Sequence, residues 1–363
     1  MYEEFMGTKP VSERQKFDVA ALAAYLRAHV EAYPADPLVP LRVEQFKGGQ
    51  SNPTFKLTLA GPDGIDRHYV LRTKPGPAAK LLPSAHAIER EFRVMDALQK
   101  AGFPAARQYA LCVDEGVIGR AFYIMEFVEG RVLWDQSLPG MTPAERGAIY
   151  DELNRVIALL HGIDYTVLGL ADFGKPGNYF ARQIERWSKQ YQASATETIA
   201  SMEQLMAWLP GHIPPGDDTS IVHGDFRLDN IIFHPSEPRI LAVLDWELST
   251  LGHPFADFSY HCMSWHIEPG RFRGIAGLDL PALGIPSQQE YIRRYAERTG
   301  KTIRLEDFNF YLAFNMFRLA SIMQGIMKRY VDGTAASAQA LESGKLARGM
   351  ADMGWAYASG KAL

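Results

Sequence analysis

One segment of the chain, residues 221–250, concentrates side chains whose types and spacing are suited to chemistry. It reads IVHGDFRLDNIIFHPSEPRILAVLDWELST, in which two short apolar strands flank a polar loop. Asp225 precedes Asn230 by five positions, and Asp245 ends the second apolar strand fifteen positions after Asn230. If the two strands form a hairpin, Asn230 and Asp245 lie near the same end of it, and Asp225 lies just before it.

These three side chains predict a site for phosphoryl transfer from a nucleotide. Two oxygen ligands suit Mg²⁺, which binds few protein oxygens and completes its shell with water and substrate phosphates. A further carboxylate that does not bind the metal can accept the proton of a hydroxyl group. The alternative is a hairpin whose Asp and Asn residues only cap and turn the chain, and each residue taken alone favours that alternative. The combined spacing, H-x-D-x₄-N followed by an Asp that closes an apolar strand, favours the site.

The elements before this segment predict a small β-rich region. Residues 17–30 have the apolar spacing of an amphipathic helix, and residues 41–75 read as three strands joined by two turns. A helix over residues 85–102 follows, and then two apolar strands, QYALCVDE and RAFYIMEFVEG. The first 130 residues are therefore expected to form a sheet with one helix inserted after its third strand.

Helical patterns dominate from Thr142 onward. Thr142 is a candidate N-cap, with Pro143 at the first helical position and Glu145 three residues after the cap. Residues 308–330 are apolar on nearly every face, which predicts a central buried helix. The expected fold class is α+β, with a small antiparallel β-rich N-lobe and a large helical C-lobe. The predicted domains are an N-terminal helical extension over 1–35, the N-lobe over 36–128 and the C-lobe over 129–363.

Composition indicates an ordinary globular protein. Of 363 residues, 47% are hydrophobic and 22% are charged, and the formal net charge of −4 argues against a dedicated nucleic-acid binder. Cys112 and Cys262 are far apart and form no metal-binding or disulfide pattern, which favours a reducing compartment. No signal peptide is visible, and no apolar run approaches the roughly 20 residues of a membrane helix. We therefore expect a cytoplasmic protein without nucleic-acid or membrane partners.

The motifs VHGDFRLDN and VLDWE resemble the catalytic and metal-binding motifs of the protein-kinase-like fold, in its aminoglycoside and choline phosphotransferase branch. The sequence most resembles the kinase-like domain that precedes an acyl-CoA dehydrogenase in some proteins. Further stretches resemble that subgroup, so that the likeness covers most of residues 40–330: YVLRTKP, LLPSAHAIEREFRVMDAL, FYIMEFVEGR and FRLASIMQGI. The resemblance implies a bilobal kinase-like fold and ATP-dependent phosphorylation of a hydroxyl group, with Mg²⁺ as cofactor.

The resemblance also implies a role for each residue of the central segment. Asp225 would be the catalytic base, and Asn230 and Asp245 would be the Mg²⁺ ligands. His223 would brace the catalytic loop, and Asp257 would hold the backbone of that loop from the following helix. The alternative for Asp257 is a simple helix cap.

The nucleotide phosphates require a cation, for which the resemblance implies Arg72, where protein kinases carry Lys. An Arg is a planar fork rather than a point charge, so that its pairing geometry must differ. Lys74 is the second candidate, and for both residues a solvated charge on an edge strand is the alternative. The partner acid is expected to be Glu91, whose helical face Glu89 cannot share. Arg227 would steady the γ-phosphate.

Two further stretches resemble nucleotide-binding elements. The turn KGGQSNPT resembles the loop that covers the phosphates, with the candidate residues Gly48, Gly49, Ser51 and Asn52. The stretch YIMEFVEG resembles the hinge that contacts the adenine, with the candidate residues Met125, Glu126 and Val128. The alternative for the first stretch is an ordinary hairpin turn, because glycine pairs are common in hairpins. The alternative for the second stretch is an ordinary buried strand end.

A small-molecule acceptor is expected, because only WELSTLGHP separates Asp245 from the next helix, where protein kinases carry a long activation segment. From Ser264 onward there are 13 Lys and Arg against 9 Asp and Glu, which favours an anionic acceptor. Arg318 interrupts an apolar helix and needs a buried partner, such as an active-site carboxylate or a substrate phosphate. The candidate acceptor contacts are Arg182, Trp187 and Arg318. For most of the basic candidates a solvated helix face is favoured over a site, and Arg318 is the exception.

The association of the subgroup with acyl-CoA chemistry points to a hydroxy acid or a hydroxyacyl-CoA as acceptor. An aminoglycoside- or choline-type kinase is an alternative. A non-catalytic ATP-binding module is another, because Arg72 departs from the usual Lys. The presence of Asp225, Asn230 and Asp245 favours catalysis. The sequence leaves the oligomeric state open.

Overall fold

The structure is a computed structural model, and it describes residues 6–31, 33–34, 36, 39–48, 52–61, 64–75, 87–270, 273–334 and 340–361. The chain divides into two compact units that alternate along the sequence. Unit 1 comprises Met1–Leu138, Thr166–Leu170 and Arg227–Ser249, and unit 2 comprises Pro139–Tyr165, Ala171–Phe226 and Thr250–Leu363. Because the units interleave, the domain boundaries expected at residues 35 and 128 stay predictions.

Unit 1 contains a sheet of six strands. They are β1 (Thr8–Lys9), β2 (Leu41–Phe46), β3 (Thr54–Leu59), β4 (Arg67–Thr73), β5 (Gln108–Cys112) and β6 (Phe122–Glu126). Their order is β1-β2-β3-β4-β6-β5, and every neighbouring pair is antiparallel. The three strands predicted over residues 41–75 are confirmed.

Two helices of unit 1 contact opposite faces of this sheet. They are α1 (Val19–His29) and α2 (Ile88–Lys100). Leu22 of α1 belongs to one buried cluster with Phe55 and Leu71 of the sheet. Because successive side chains of a strand point to opposite faces, Arg72 is directed away from that cluster, and it contacts Glu91 of α2. This alternation separates an apolar face from a face that carries charge.

The remaining strands form two smaller sheets, one in each unit. They are β7 (Arg131–Val132), β8 (Ser220–Val222), β9 (Ile231–Phe233), β10 (Ile240–Val243) and β11 (Thr250–Gly252). In unit 1 the strands lie in the order β10-β9-β7, so that the predicted hairpin of β9 and β10 is confirmed. In unit 2, β8 pairs with β11. The sequence analysis did not predict β11, because three residues are too few to show a period.

The other long elements that the structure describes in unit 2 are helices. Its helices are α3 (Pro143–Gly162), α4 (Tyr179–Ser194), α5 (Ala200–Trp208), α6 (Pro254–Cys262), α7 (Leu280–Leu283), α8 (Gln288–Thr299), α9 (Leu305–Val331) and α10 (Ala340–Ala358). The capping box at the start of α3 forms as predicted, between Thr142 and Glu145. Helix α9 is largely buried and packs against α10, α4 and α6, which confirms the predicted central helix.

Candidate active site

The loop that carries Asp225 follows β8 and is held by groups of its own unit. The carboxylate of Asp257, in α6, accepts a hydrogen bond from the His223 amide at 2.7 Å and one from the Gly224 amide at 2.8 Å. Gly224 has a φ of 83°, a left-handed conformation that glycine adopts without steric cost. The ring Nδ1 of His223 accepts a hydrogen bond from the Asp225 amide at 3.1 Å. Asp257 and His223 therefore fix the backbone that leads into Asp225.

The Asp257 carboxylate is buried and stays ionised. His161 Nε2 lies 3.2 Å from Asp257 Oδ2, and His161 Nδ1 lies 2.7 Å from the hydroxyl of Tyr295. Burial acts to raise the pKa of Asp257, but the hydrogen bond with His161, the electrostatic influence of the His161 and His223 rings, and the His223 amide together lower that pKa below its ordinary value. An ionised carboxylate is the stronger acceptor for the two amides of the loop.

Tyr260 contacts the proposed base directly. Its hydroxyl donates a hydrogen bond to Asp225 Oδ1 at 2.6 Å. The sequence analysis did not single out Tyr260, although a signal was present. Residues three positions apart share one face of a helix, so an acid at position 257 that faces the loop implies that Tyr260 faces it too.

Arg318 of α9 has a different partner from the one expected. The sequence predicted a carboxylate or a substrate phosphate, but the guanidinium Nη2 donates to the Gly224 carbonyl at 2.7 Å. The guanidinium also lies 5.4 Å from the ring centroid of Tyr260 and 5.9 Å from that of Trp187. A carbonyl and two ring faces stabilise a buried cation without neutralising its charge.

Asn230 and Asp245 lie at one end of the β9–β10 hairpin, within unit 1. Ile231 pairs with Val243 in the ladder, and the Leu244 amide donates to the Asn230 carbonyl at 2.8 Å. Asp245 follows directly, with φ 65° and ψ 64°. A residue other than glycine adopts this conformation only where its surroundings hold it. The hairpin therefore brings the two predicted metal ligands to the same end.

The donor set at this end of the hairpin fits Mg²⁺. Asn230 supplies an amide oxygen, and Asp245 supplies a carboxylate whose side chain is 30% exposed. These are hard oxygen donors, and two of them are enough for an ion that takes its other ligands from water and phosphate. Among the described residues, no group of three or more His, Cys, Asp or Glu side chains could hold a metal ion.

Arg72 is buried and joins three acids of unit 1. Its Nε lies 2.8 Å from Glu91 Oε2, and its Nη2 lies 2.7 Å from Asp245 Oδ1 and 3.7 Å from Glu247 Oε2. Burial acts to lower the pKa of the guanidinium, but Glu91, Tyr123, Asp245 and Glu247 outweigh it and raise that pKa above its ordinary value. Arg72 therefore connects α2 to the proposed metal site.

Glu91 also accepts hydrogen bonds from two other buried side chains. Asn52 Nδ2 donates to it at 2.6 Å and the Tyr123 hydroxyl donates at 3.1 Å. The side-chain amide of Asn52, which was expected to face phosphate, is thus directed at Glu91. Lys74 pairs with Glu89 at 2.5 Å, so that the two cations of this strand use separate acids.

The other predicted nucleotide contacts follow β2 in the sequence or lie at the end of β6. Gly48 is half-buried after β2, whereas Gly49 and Ser51 lie outside the described residues. Met125 is buried in β6, Glu126 ends that strand, and Val128 is half-buried just after it.

Three further candidates are Arg227, Arg182 and Trp187. Arg227 Nη1 lies 3.7 Å from Asp229 Oδ2. Arg182 Nη2 donates to the Lys175 carbonyl at 2.5 Å. Trp187 is buried in α4.

The candidate residues are divided between the units. Unit 2 holds His223, Asp225, Asp257, Arg182, Trp187 and Arg318, and unit 1 holds Arg72, Glu91, Asn230, Asp245 and Arg227.

Comparison with known families gives this arrangement a context. A model described as the phosphotransferase enzyme family matches residues 42–297. The chain belongs to this phosphotransferase family. The chain is similar to acyl-CoA dehydrogenase family member 10 of Mus musculus, with 46% identity over 356 residues, which are 97% of this chain and 32% of that protein. The chain thus spans about a third of the length of that relative.

Solved structures of similar proteins include two phosphotransferases. A Ralstonia eutropha protein, provisionally described as an aminoglycoside phosphotransferase, is 65% identical with a TM-score of 0.85, covering 95% of this chain and 99% of that one. A choline kinase from Cryptosporidium parvum is 13% identical with a TM-score of 0.60, covering 95% of each chain, and this likeness concerns the fold alone.

Membership of the phosphotransferase family confirms the expected fold and enzyme class. The fold is α+β and protein-kinase-like. The chain is a member of the phosphotransferase enzyme family, and its resemblance to that family was predicted correctly. In the part of the chain that the structure describes, no helix has the length and apolar character needed to cross a membrane.

Proposed function

We propose that this phosphotransferase transfers the γ-phosphoryl group of ATP to a hydroxyl group of an anionic small molecule. Asp225 is the general base, and Asn230 and Asp245 hold Mg²⁺. The observation that carries the proposal is the buried Arg72, which joins Glu91 of α2 to Asp245. Asp245 is a proposed metal ligand, and a metal-bound nucleotide phosphate would lie beside it. A guanidinium that Glu91 holds against Asp245 is therefore suited to contact phosphate oxygens as well.

In the proposed reaction Asp225 accepts the proton of the acceptor hydroxyl. The hydroxyl oxygen forms a bond to the γ-phosphorus, and the bond between that phosphorus and the bridging oxygen breaks, so that ADP leaves with the electron pair. Mg²⁺, when bound, neutralises phosphate charge. The contacts of Asp257 and His223 with the loop support the role of Asp225, because a general base must be held within hydrogen-bond reach of its proton.

We assign the nucleotide contacts from the family resemblance. Gly48, Gly49, Ser51 and Asn52 belong to the loop over the phosphates, and Met125, Glu126 and Val128 belong to the adenine hinge. Arg72, with Glu91 as its partner, is the phosphate-binding cation, in preference to Lys74, because Arg72 alone of these two contacts Asp245. Arg227 is assigned to the γ-phosphate.

The acceptor is anionic in this proposal because the buried Arg318 is charged and two further arginines of unit 2, Arg182 and Arg186, act on the same tyrosine ring as Arg318 does. Arg318 is buried, and its hydrogen bond to the Gly224 carbonyl leaves its positive charge in place. Burial raises the pKa of Tyr179 and the Asp257 carboxylate acts in the same direction, whereas the charges of Arg318, Arg186 and Arg182 act to lower it, so that all three guanidinium groups influence the same half-buried ring. A concentration of positive charge attracts an anionic ligand.

The basic residues after Ser264 support this proposal less than their number suggests. Several of them pair with acids at the surface, as Arg348 does with Glu197 at 2.5 Å and Lys301 does with Asp218 at 2.6 Å. Arg318 is therefore the principal support for an anionic acceptor. Arg182 and Trp187 are secondary contacts in the proposal.

The names of similar proteins indicate which kind of anionic acceptor to test. Because similar proteins are named acyl-CoA dehydrogenase family members, we propose a hydroxy acid or a hydroxyacyl-CoA as acceptor. The test is a panel in which the purified protein, ATP and Mg²⁺ meet a 4-hydroxyacyl-CoA, the free hydroxy acid, a neutral sugar, an aminoglycoside and choline. ADP is measured, and ³¹P NMR identifies the phosphate ester.

The expected result is ADP formation with the anionic acceptors and a raised KM for them in Arg318→Met. Arg348→Met, at an exposed surface pair, is the matched control and leaves the KM unchanged. Equal stimulation by the neutral sugar contradicts the anionic acceptor. If no acceptor of the panel stimulates ADP formation, the proposed substrate class is contradicted.

A further inference from the structure

Helix α6 directs two functional side chains at one loop. Asp257 accepts hydrogen bonds from the backbone amides of His223 and Gly224, and Tyr260 donates a hydrogen bond to the side chain of Asp225. The two residues are three positions apart and therefore share a helix face. One helix face thus holds both the backbone of the loop and the carboxylate that the loop carries.

Arg318 contacts the same arrangement from α9. Its Nη2 donates to the Gly224 carbonyl at 2.7 Å, next to Asp225 in the chain, and its guanidinium lies 5.4 Å from the centre of the Tyr260 ring. Gly224 is therefore held on both sides, by Asp257 at its amide and by Arg318 at its carbonyl. A cation beside an aromatic ring is attracted to the ring face, which fixes the ring in place.

The hydrogen bond from Tyr260 has a chemical consequence for a carboxylate base. A carboxylate rotates about its Cβ–Cγ bond unless one of its oxygens is held. With Oδ1 bonded to the Tyr260 hydroxyl, the plane of the Asp225 carboxylate is set, and so is the direction that its second oxygen presents. The bond requires a neutral phenol, because a phenolate has no proton to donate and repels the carboxylate.

We infer that Tyr260 is a positioning residue for the proposed base Asp225. Arg318 supports this role, because it contacts both the Tyr260 ring and the Gly224 carbonyl of the loop and keeps them in place. This inference rests on the proposed function. In it Tyr260 transfers no proton; it orients Asp225 while the acceptor hydroxyl loses its proton to the carboxylate.

The first experiment compares Tyr260→Phe with the matched control Tyr311→Phe. Tyr311 is a buried tyrosine of the same unit whose hydroxyl makes no hydrogen bond to any residue in the described ranges. Tyr260→Phe is expected to lower kcat about tenfold, which is the scale of one charge-assisted hydrogen bond, while the KM for ATP stays constant. Tyr311→Phe is expected to keep the wild-type kcat. An unchanged kcat in Tyr260→Phe overturns the inference.

The second experiment replaces Tyr260 by mono-, di- and trifluorotyrosine, which keep the shape of the side chain but ionise at progressively lower pH. The expected result is a fall in kcat at high pH that moves to lower pH with each added fluorine. A residue that only fills space would leave the pH profile where it is. A profile that does not move with fluorination overturns the inference.

A third readout does not require turnover. The ¹⁹F resonance of 3-fluorotyrosine at position 260 is expected to shift when Asp225 is changed to Asn, because the hydrogen-bond acceptor loses its charge. If the wild-type protein forms no ADP but this shift is observed, the proposed function fails and the contact stands. If ADP forms and the resonance does not shift, the positioning role fails and the proposed function stands.

Discussion

Arg72 and Asp245 are 173 positions apart in the sequence and share a hydrogen bond of 2.7 Å, from Nη2 of the guanidinium to Oδ1 of the carboxylate. The same guanidinium lies 2.8 Å from Glu91 through its Nε. A lysine ammonium is a single point charge, whereas the planar fork of arginine reaches two acids with different nitrogens. Arg72 thus couples α2 to the end of the β9–β10 hairpin.

Removal of the Arg72 charge is expected to destabilise the protein. Arg72→Met leaves Glu91 buried without its cation, and the free energy of unfolding falls by about 3 kcal/mol. Urea unfolding measures the change. The double variant Arg72→Met/Glu91→Gln is expected to recover part of the loss, because the buried negative charge is gone. Lys100→Met, at an exposed pair with Asp96, is the control and leaves the unfolding transition in place. An Arg72→Met protein as stable as the wild type contradicts this account.

The proposed metal ligands are expected to set the Mg²⁺ requirement. Asn230→Ala and Asp245→Asn each remove an oxygen donor or its charge, so that the Mg²⁺ concentration at half-maximal rate rises by about tenfold or more. The measurement is ADP formation at fixed ATP over a range of Mg²⁺ concentrations. Asp96→Asn, in an exposed pair with Lys100, is the comparison and is expected to keep the Mg²⁺ dependence of the wild type. Equal Mg²⁺ dependence in all the proteins would exclude the assigned ligands.

Loss of the Asp257 carboxylate is expected to destabilise the loop that carries Asp225. Asp257→Ala removes the acceptor of two backbone amides and the partner of His161, and the free energy of unfolding falls by about 3 kcal/mol. Turnover falls as well, because the backbone before Asp225 loses its support. Asp332→Ala, in an exposed pair with Lys328, is the control and changes neither quantity. A loop role is refuted if Asp257→Ala retains both stability and turnover.

Stability is expected to decrease as the pH falls from about 6.5 towards 4. Burial lowers the pKa values of His253, His261 and His266 from 6.5 to about 4 in the folded protein. Between these values the unfolded chain binds more protons than the folded one, so the contribution is complete above pH 6.5 and is lost on acidification. The free energy of unfolding is measured at pH 7 and pH 5. His261→Asn is expected to show a smaller difference between the two pH values, and an unchanged difference would contradict the assignment.

Much of the fold follows from local patterns in the sequence. The capping box at Thr142 and Glu145 marked the start of α3, and the apolar pattern of residues 308–330 identified α9. The two-residue period of a strand also accounts for the opposite directions of Leu71 and Arg72 in β4. These features depend on neighbours in the chain, which is why the sequence alone reveals them.

Other features depend on tertiary contacts that no local pattern records. The pairing of β8 with β11 joins two three-residue strands from distant parts of unit 2. Arg318 was expected to meet an acid or a phosphate, but a backbone carbonyl accepts its hydrogen bond, and sequence patterns do not show where a carbonyl points. Tyr260 was overlooked because its partner is the side chain of Asp225, and only the helical spacing from Asp257 could have indicated it.

The central claim, that Asp225 is the base of a phosphoryl transfer, is tested most directly by Asp225→Ala in two parallel measurements. One is calorimetric binding of ATP with Mg²⁺, and the other is ADP formation with the acceptor that the panel identifies. We expect the variant to bind the nucleotide like the wild type and to form ADP at least about a hundredfold more slowly. Retention of the wild-type rate by Asp225→Ala would contradict the claim.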